Sequence, residues 1–125
     1  MIAGLPQADK SLFQEPDLFT LFSIMIGHRQ HLRVVGDSME SIISEGDLII
    51  YKKINSKNLD LNIGDIIVAS HPTIKSKLII KRIHQIYQNK FDLRGDNLLS
   101  STDSREWGLI ESDLIVGKVE KIFTK

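Results

Sequence analysis

From Leu32 onward the chain alternates short apolar runs with polar turns. Leu32–Val35 precedes Gly36-Asp37. Leu48–Tyr51 follows Glu45-Gly46-Asp47, and Ile66–Ala69 follows Asn62-Ile63-Gly64-Asp65. Short runs rich in β-branched residues and bounded by Gly and Asp predict strands. Leu78–Tyr87 (LIIKRIHQIY) is the longest such run, with Asn89-Lys90 as a hairpin turn into Phe91–Arg94. Leu114–Phe123 (LIVGKVEKIF) reads as a last strand, bulged or bent at Gly117. Ser56–Asn62 and His71–Ser76 read as loops. The expected fold is compact and mainly β.

The amino-terminal part has a different pattern. Asp17–Gly27 (DLFTLFSIMIG), with Pro16 at the first helical position and Gly27 as a stop, predicts a short helix. A membrane span needs about 20 apolar residues, so no transmembrane span is expected here. The plain reading packs this helix on the body. The functional reading makes it an interfacial anchor or a substrate-docking surface, helped by the basic edge His28–Arg33. Residues 1–15 lack the basic start and unbroken apolar stretch of a signal peptide. The expected division is an arm over 1–31 and a catalytic unit over 32–125, with a cytoplasmic location.

Composition narrows the function classes. The chain has 125 residues, the size of one domain. Lys plus Arg and Asp plus Glu number 16 each, without the basic excess expected of a nucleic-acid binder. The absence of cysteine excludes disulfides, thiolate nucleophiles and cysteine-based metal sites. The histidines (His28, His31, His71, His84) are scattered and lack a ligand spacing, so they read as structural or solvent-facing. Neither a metal nor a cofactor is expected.

Three segments carry candidate chemistry. Ser38 follows the Gly36-Asp37 turn, where a hydroxyl can be held firmly. Lys81 and Arg82 interrupt an apolar strand, and strand alternation cannot expose both. One of them faces inward or into a cleft. Burial lowers a lysine pKa, because desolvation disfavours the cation, and a neutral amine could take the Ser38 proton. The plain alternative is an edge-strand lysine reaching water. The third segment, Gly95–Gly108, is polar and turn-rich, and Asp103 and Arg105 in it can pair.

In these segments the chain resembles the signal-peptidase-type Ser/Lys peptidases. Gly36-Asp37-Ser38-Met39 is similar to their nucleophile box. Gly64-Asp65-Ile66-Ile67-Val68 followed by Ile80-Lys81-Arg82-Ile83 is similar to their general-base box. Gly95-Asp96-Asn97, Ser101, Asp103-Ser104-Arg105 and Gly108 are similar to their third box. The resemblance implies a signal-peptidase/SOS-repressor-like catalytic β fold. It implies Ser38 as nucleophile, Lys81 as general base and Ser101 as the residue orienting the Lys81 amine. It further implies a propping ion pair of Asp103 and Arg105, a loop held by Asp96 and Asn97, and Met39 packed under the nucleophile. The Ser38 backbone N–H would form part of the oxyanion hole, with a second donor from the Gly36 region or water.

There are departures. Ser41 stands where the family commonly has proline, and Gly36 where some members have a serine. The usual amino-terminal membrane span and large extra β domain have no counterpart in the sequence. A subgroup of small soluble peptidases, which mature nickel-type superoxide dismutase, resembles the chain in length and in Arg33–Met39, Val68–Pro72 and Ser101–Arg105. That resemblance implies removal of the propeptide from the dismutase precursor, whose amino terminus would be the protein partner. The alternatives are a signal peptidase acting on exported proteins, a self-cleaving SOS-repressor-type regulator cutting at Ala3-Gly4, and a binding module with a dead site.

Overall fold

The computed structural model describes residues 29–55 and 60–125. The expected helix at Asp17–Gly27, the Ala3-Gly4 dipeptide and most of the Ser56–Asn62 loop lie outside the described residues. The fold is mainly β, as expected. Its strands are β1 (Arg29–Arg33), β2 (Leu48–Lys53), β3 (Ile66–Ser70), β4 (Leu78–Tyr87), β5 (Lys90–Arg94), β6 (Ile110–Glu111) and β7 (Ile115–Phe123). A short helix α1 (Ser104–Trp107) stands between β5 and β6. The strands form one antiparallel sheet in the order β1-β2-β7-β3-β4-β5-β6.

β3 shows why the sheet needs two apolar layers. Its alternate residues divide between them. Ile66 and Val68 join Val34, Met39, Ile43, Ile49 and Ile122 on one face. Ile67 and Ala69 join Ile79, Ile83, Phe91 and Leu93 on the other. A strand buried on both faces reads as a continuous apolar run, which Ile66–Ala69 is. Each fully buried isoleucine contributes about 1.5–3 kcal/mol of transfer free energy. The side chains between these layers therefore sit in surroundings that penalise charge.

Three local details differ from the sequence expectation. β1 takes in Arg29–Arg33, where the expected run began at Leu32. Its charged residues suit an edge strand, and pairing with β2 from Arg29↔Lys52 to Arg33↔Leu48 overrides their poor strand patterning. Val35 has left the ladder and is 87% exposed. In the β4–β5 hairpin the turn is Gln88-Asn89, because Lys90 already pairs with Tyr87. That register puts Phe91 and Leu93 inward.

Gly117 marks an irregularity, as expected. On the β3 side the register slips between Val68↔Gly117 and Ala69↔Ile115, leaving Val116 as the extra residue. A Cβ on Gly117 would lie 2.4 Å from the Tyr51 ring and 2.7 Å from the Lys52 carbonyl oxygen. Glycine is needed there for close approach rather than for an unusual φ.

Candidate active site

The loop between β1 and β2 carries Ser38 on a firm base. Val34 bonds to Asp47 and Gly46, closing the loop at its root. The chain then turns, with Glu40 N–H donating to Asp37 O and the N–H groups of Ile42 and Ile43 donating to Met39 O. Met39 and Ile43 plug this turn into the core. The Glu40–Ser41 peptide bond is cis. Ser38, preceding the plug, remains at the wall of a cleft of about 600 Å³, also lined by Gly36, His71, Lys81, Thr102 and Trp107.

The strand alternation on β4 resolves the choice between Lys81 and Arg82. Lys81 shares its face with the buried Ile79 and Ile83 and is only 4% exposed. Arg82 points the other way and makes a two-pronged contact with Asp96, at 3.0 and 2.8 Å. A buried cation without a carboxylate in direct contact is costly. Desolvation accordingly lowers the Lys81 pKa, and the Arg105 and Lys77 charges lower it further, against an opposing pull from Asp103.

A chain of hydrogen bonds sets the Lys81 amine. Asp103, fully buried, accepts from Ser101 Oγ at 2.8 Å, Gly95 N at 2.9 Å and Arg105 Nε at 2.9 Å. Burial pushes its carboxyl upward, but the bonds from Arg105, Gly95 and Ser101 together outweigh this and hold it well below the usual carboxylate range. Asp103 is therefore ionised and takes the Ser101 proton. Ser101 Oγ is left as an acceptor, and Lys81 Nζ donates to it across 3.3 Å. An amine that donates one N–H to Ser101 keeps its lone pair for another direction.

The third segment is stitched to the Ser38 turn. Asn97 N–H donates to Ser38 O at 2.8 Å, and Asn97 Nδ2 to Asp37 O at 3.0 Å. Asp96 N–H approaches Met39 Sδ at 3.4 Å, and Ser100 Oγ bonds to Asp37 Oδ1. Gly95 makes this proximity possible. A Cβ there would lie 2.1 Å from Ser101 Oγ and 2.7 Å from Ser38 O. The Ser38 N–H has no hydrogen-bond partner among the described residues. The Gly36 N–H, in contrast, donates to Glu45 Oε1 at 2.9 Å.

Ser38, Met39 and Lys81 thus line one cleft, and hydrogen bonds tie Asp96, Asn97, Ser101, Asp103 and Arg105 to them or to one another. Sequence reasoning missed the part played by Asp37 and Ser100, which tie the two loops. It also missed α1, capped by the Asp103 side chain accepting from Arg105 N–H; the Asp-Ser-Arg order, a helix-starting pattern, was a usable signal. His71 holds the Thr73–Ile74 turn, in keeping with a structural histidine, and also lines the cleft with Trp107. No cluster of three or more His, Cys, Asp or Glu side chains able to hold a metal occurs among the described residues.

The chain is similar to known proteins over most of its length. The Peptidase S24-like family profile matches residues 5–119. The chain is 29% identical to mitochondrial inner membrane protease subunit 1 of Mus musculus, over 67% of this chain and 63% of that protein. It is 31% identical to the Xenopus tropicalis protein of the same name, over 67% of this chain and 62% of that protein. The chain therefore spans less than two thirds of the length of the curated relatives it matches.

Proposed function

The chain belongs to the Peptidase S24-like family, and on that premise we propose a serine endopeptidase with Ser38 as nucleophile and Lys81 as general base. The observation that carries this reading is the burial of Lys81 beside the Ser38 cleft, with one amine hydrogen fixed on Ser101.

The chemistry follows from those positions. Neutral Lys81 takes the Ser38 proton as Oγ attacks the scissile carbonyl carbon. The oxyanion that forms is stabilised by the unpartnered Ser38 N–H. The Lys81 ammonium then returns the proton to the leaving amine, and the acyl group stays on Ser38 as an ester. Water attacks that ester, losing its proton to Lys81; the carbon–Oγ bond then breaks, the Lys81 ammonium returns the proton to Ser38 Oγ, and the acid product leaves. Asp103 and Arg105 act through Ser101 and the loop, not on the substrate.

The substrate class is a precursor protein with a removable amino-terminal extension. The chain's resemblance to the maturation proteases in Arg33–Met39, Val68–Pro72 and Ser101–Arg105 supports the nickel-type superoxide dismutase precursor, processed in the cytoplasm. A second reading, a signal-peptidase-type enzyme acting on exported precursors at a membrane, is favoured by the similarity to inner membrane protease subunits. No helix among the described residues is long and apolar enough to cross a membrane. Incubating the purified chain separately with a nickel-dismutase precursor and an exported preprotein, with mass analysis of the products, decides between them. One cut in the dismutase precursor supports the first reading. A cut in the preprotein alone supports the second.

A further inference from the structure

One side chain on the cleft wall has no part in the Ser38–Lys81 chemistry. His71 follows β3, and its ring meets that of Trp107 in a T-shaped contact, with centroids 4.8 Å apart and planes at 64°. Both rings line the same cleft as Ser38 and Lys81. His71 Nδ1 accepts the backbone N–H groups of Thr73 at 3.1 Å and Ile74 at 3.0 Å. A ring nitrogen accepting two N–H bonds carries no proton, so the neutral ring is protonated on Nε2. Burial, and then the Lys77 and Lys81 charges, lower the His71 pKa and favour that neutral ring. The two nitrogens of an imidazole point apart, so Nε2 faces away from the Thr73–Ile74 turn. Its N–H has no hydrogen-bond partner among the described residues.

We propose that His71 is a specificity-determining residue of the cleft, whose Nε2–H donates to an oxygen of the bound peptide. The proposal rests on the peptidase reading and deepens it. A donor fixed by two backbone bonds and an aromatic neighbour loses little freedom on binding. A peptide that offers no oxygen there covers the donor without pairing it, which is how a polar site rejects a wrong ligand. The oxygen belongs to a backbone carbonyl or to a side-chain carboxylate, and Lys77, exposed on the same wall, suits either.

Two substitutions separate the ring's two nitrogens. Asn at this position keeps an acceptor in place of Nδ1 and so keeps the turn, but loses the Nε2–H. Gln keeps a donor near Nε2 and loses the turn acceptor. The probe is a fluorogenic peptide spanning the junction that the wild-type chain cuts in the dismutase precursor or, failing that, in the exported preprotein. His71→Asn is expected to raise KM about fivefold, the effect of one neutral hydrogen bond, with kcat within twofold. His71→Gln is expected to keep KM within twofold. A KM rise shared by all peptides of an Ala-, Asp- and Lys-substituted series identifies a backbone carbonyl, and a rise confined to the Asp peptide identifies a carboxylate. Equal KM values for wild type and His71→Asn overturn the proposal. NMR of the imidazole nitrogens in the Ser38→Ala chain gives an activity-independent reading. A ring protonated on Nδ1 at neutral pH overturns the proposal whatever the kinetics show. A correct tautomer with neither precursor cut overturns the peptidase reading, and this proposal with it.

Discussion

Lys81 and Ser101 are joined across 3.3 Å, from a buried amine to a hydroxyl whose own proton goes to Asp103. This bond fixes the direction of the Lys81 lone pair. Ser101→Ala removes it without adding bulk. It is expected to lower kcat on the order of a hundredfold, the scale of a modest misplacement of a reacting group, with little change in KM. Ser101→Thr, which keeps the hydroxyl, is expected to recover most of the loss. Steady-state kinetics on a cleaved peptide checks both.

The pH dependence has a definite sign. The proposed base, Lys81, can take a proton only when neutral, and burial lowers its pKa from 10.5. kcat/KM is expected to rise with pH and level off below that ordinary value. Arg105 helps depress the Lys81 pKa, and Asp103 opposes the shift. Arg105→Gln is therefore expected to move the rising limb to higher pH. Lys81 also links pH to stability. The folded pKa lies below the unfolded one, so between them the unfolded chain binds more protons and stability increases with pH. Denaturant titrations across that window check this second effect.

Asp103 has a linkage of the same sign, in the acid range. Its folded pKa is depressed, so its contribution is complete above the unfolded value of 3.8 and is lost as pH falls through the folded one. Asp103→Ala leaves the Gly95 N–H and Ser101 hydroxyl unpaired in the interior. The expected loss is on the order of 3 kcal/mol, or a fall in Tm of about 10 °C or more for a domain of this size. Thermal unfolding followed by circular dichroism checks it.

Gly95 is as constrained as any functional side chain. A methyl group there would meet Ser101 Oγ at 2.1 Å and Ser38 O at 2.7 Å. Gly95→Ala is expected to cost about 1–3 kcal/mol of stability and to remove most activity by separating the two loops. Gly64, whose Cβ would meet nothing within 4 Å, has φ of +97° and serves as a contrast. Alanine there strains the backbone but is expected to leave the Ser38 turn in place.

Much of this was legible in the sequence for physical reasons. The apolar runs at Ile66–Ala69 and Leu78–Tyr87 had the length and branching of strands, and both are strands. Alternation required Lys81 or Arg82 to face inward, and only packing could choose between them. That Arg29–His31 pair as part of β1 was not legible, because an edge strand of charged residues owes its form to pairing with β2. Nor was the His71 ring. Its commitment to Thr73 and Ile74 depends on the turn geometry after β3 rather than on residue spacing.

The most direct test of the account is intact-mass analysis of a cleavable precursor incubated with wild type, Ser38→Ala and Lys81→Ala chains of matched fold. The account predicts a single cut by the wild type. Each variant should be slower by at least about a thousandfold, the scale seen when a member of such a catalytic unit is removed. Cleavage by Lys81→Ala at a rate near wild type would contradict it, because the buried amine would then have no part in activating Ser38.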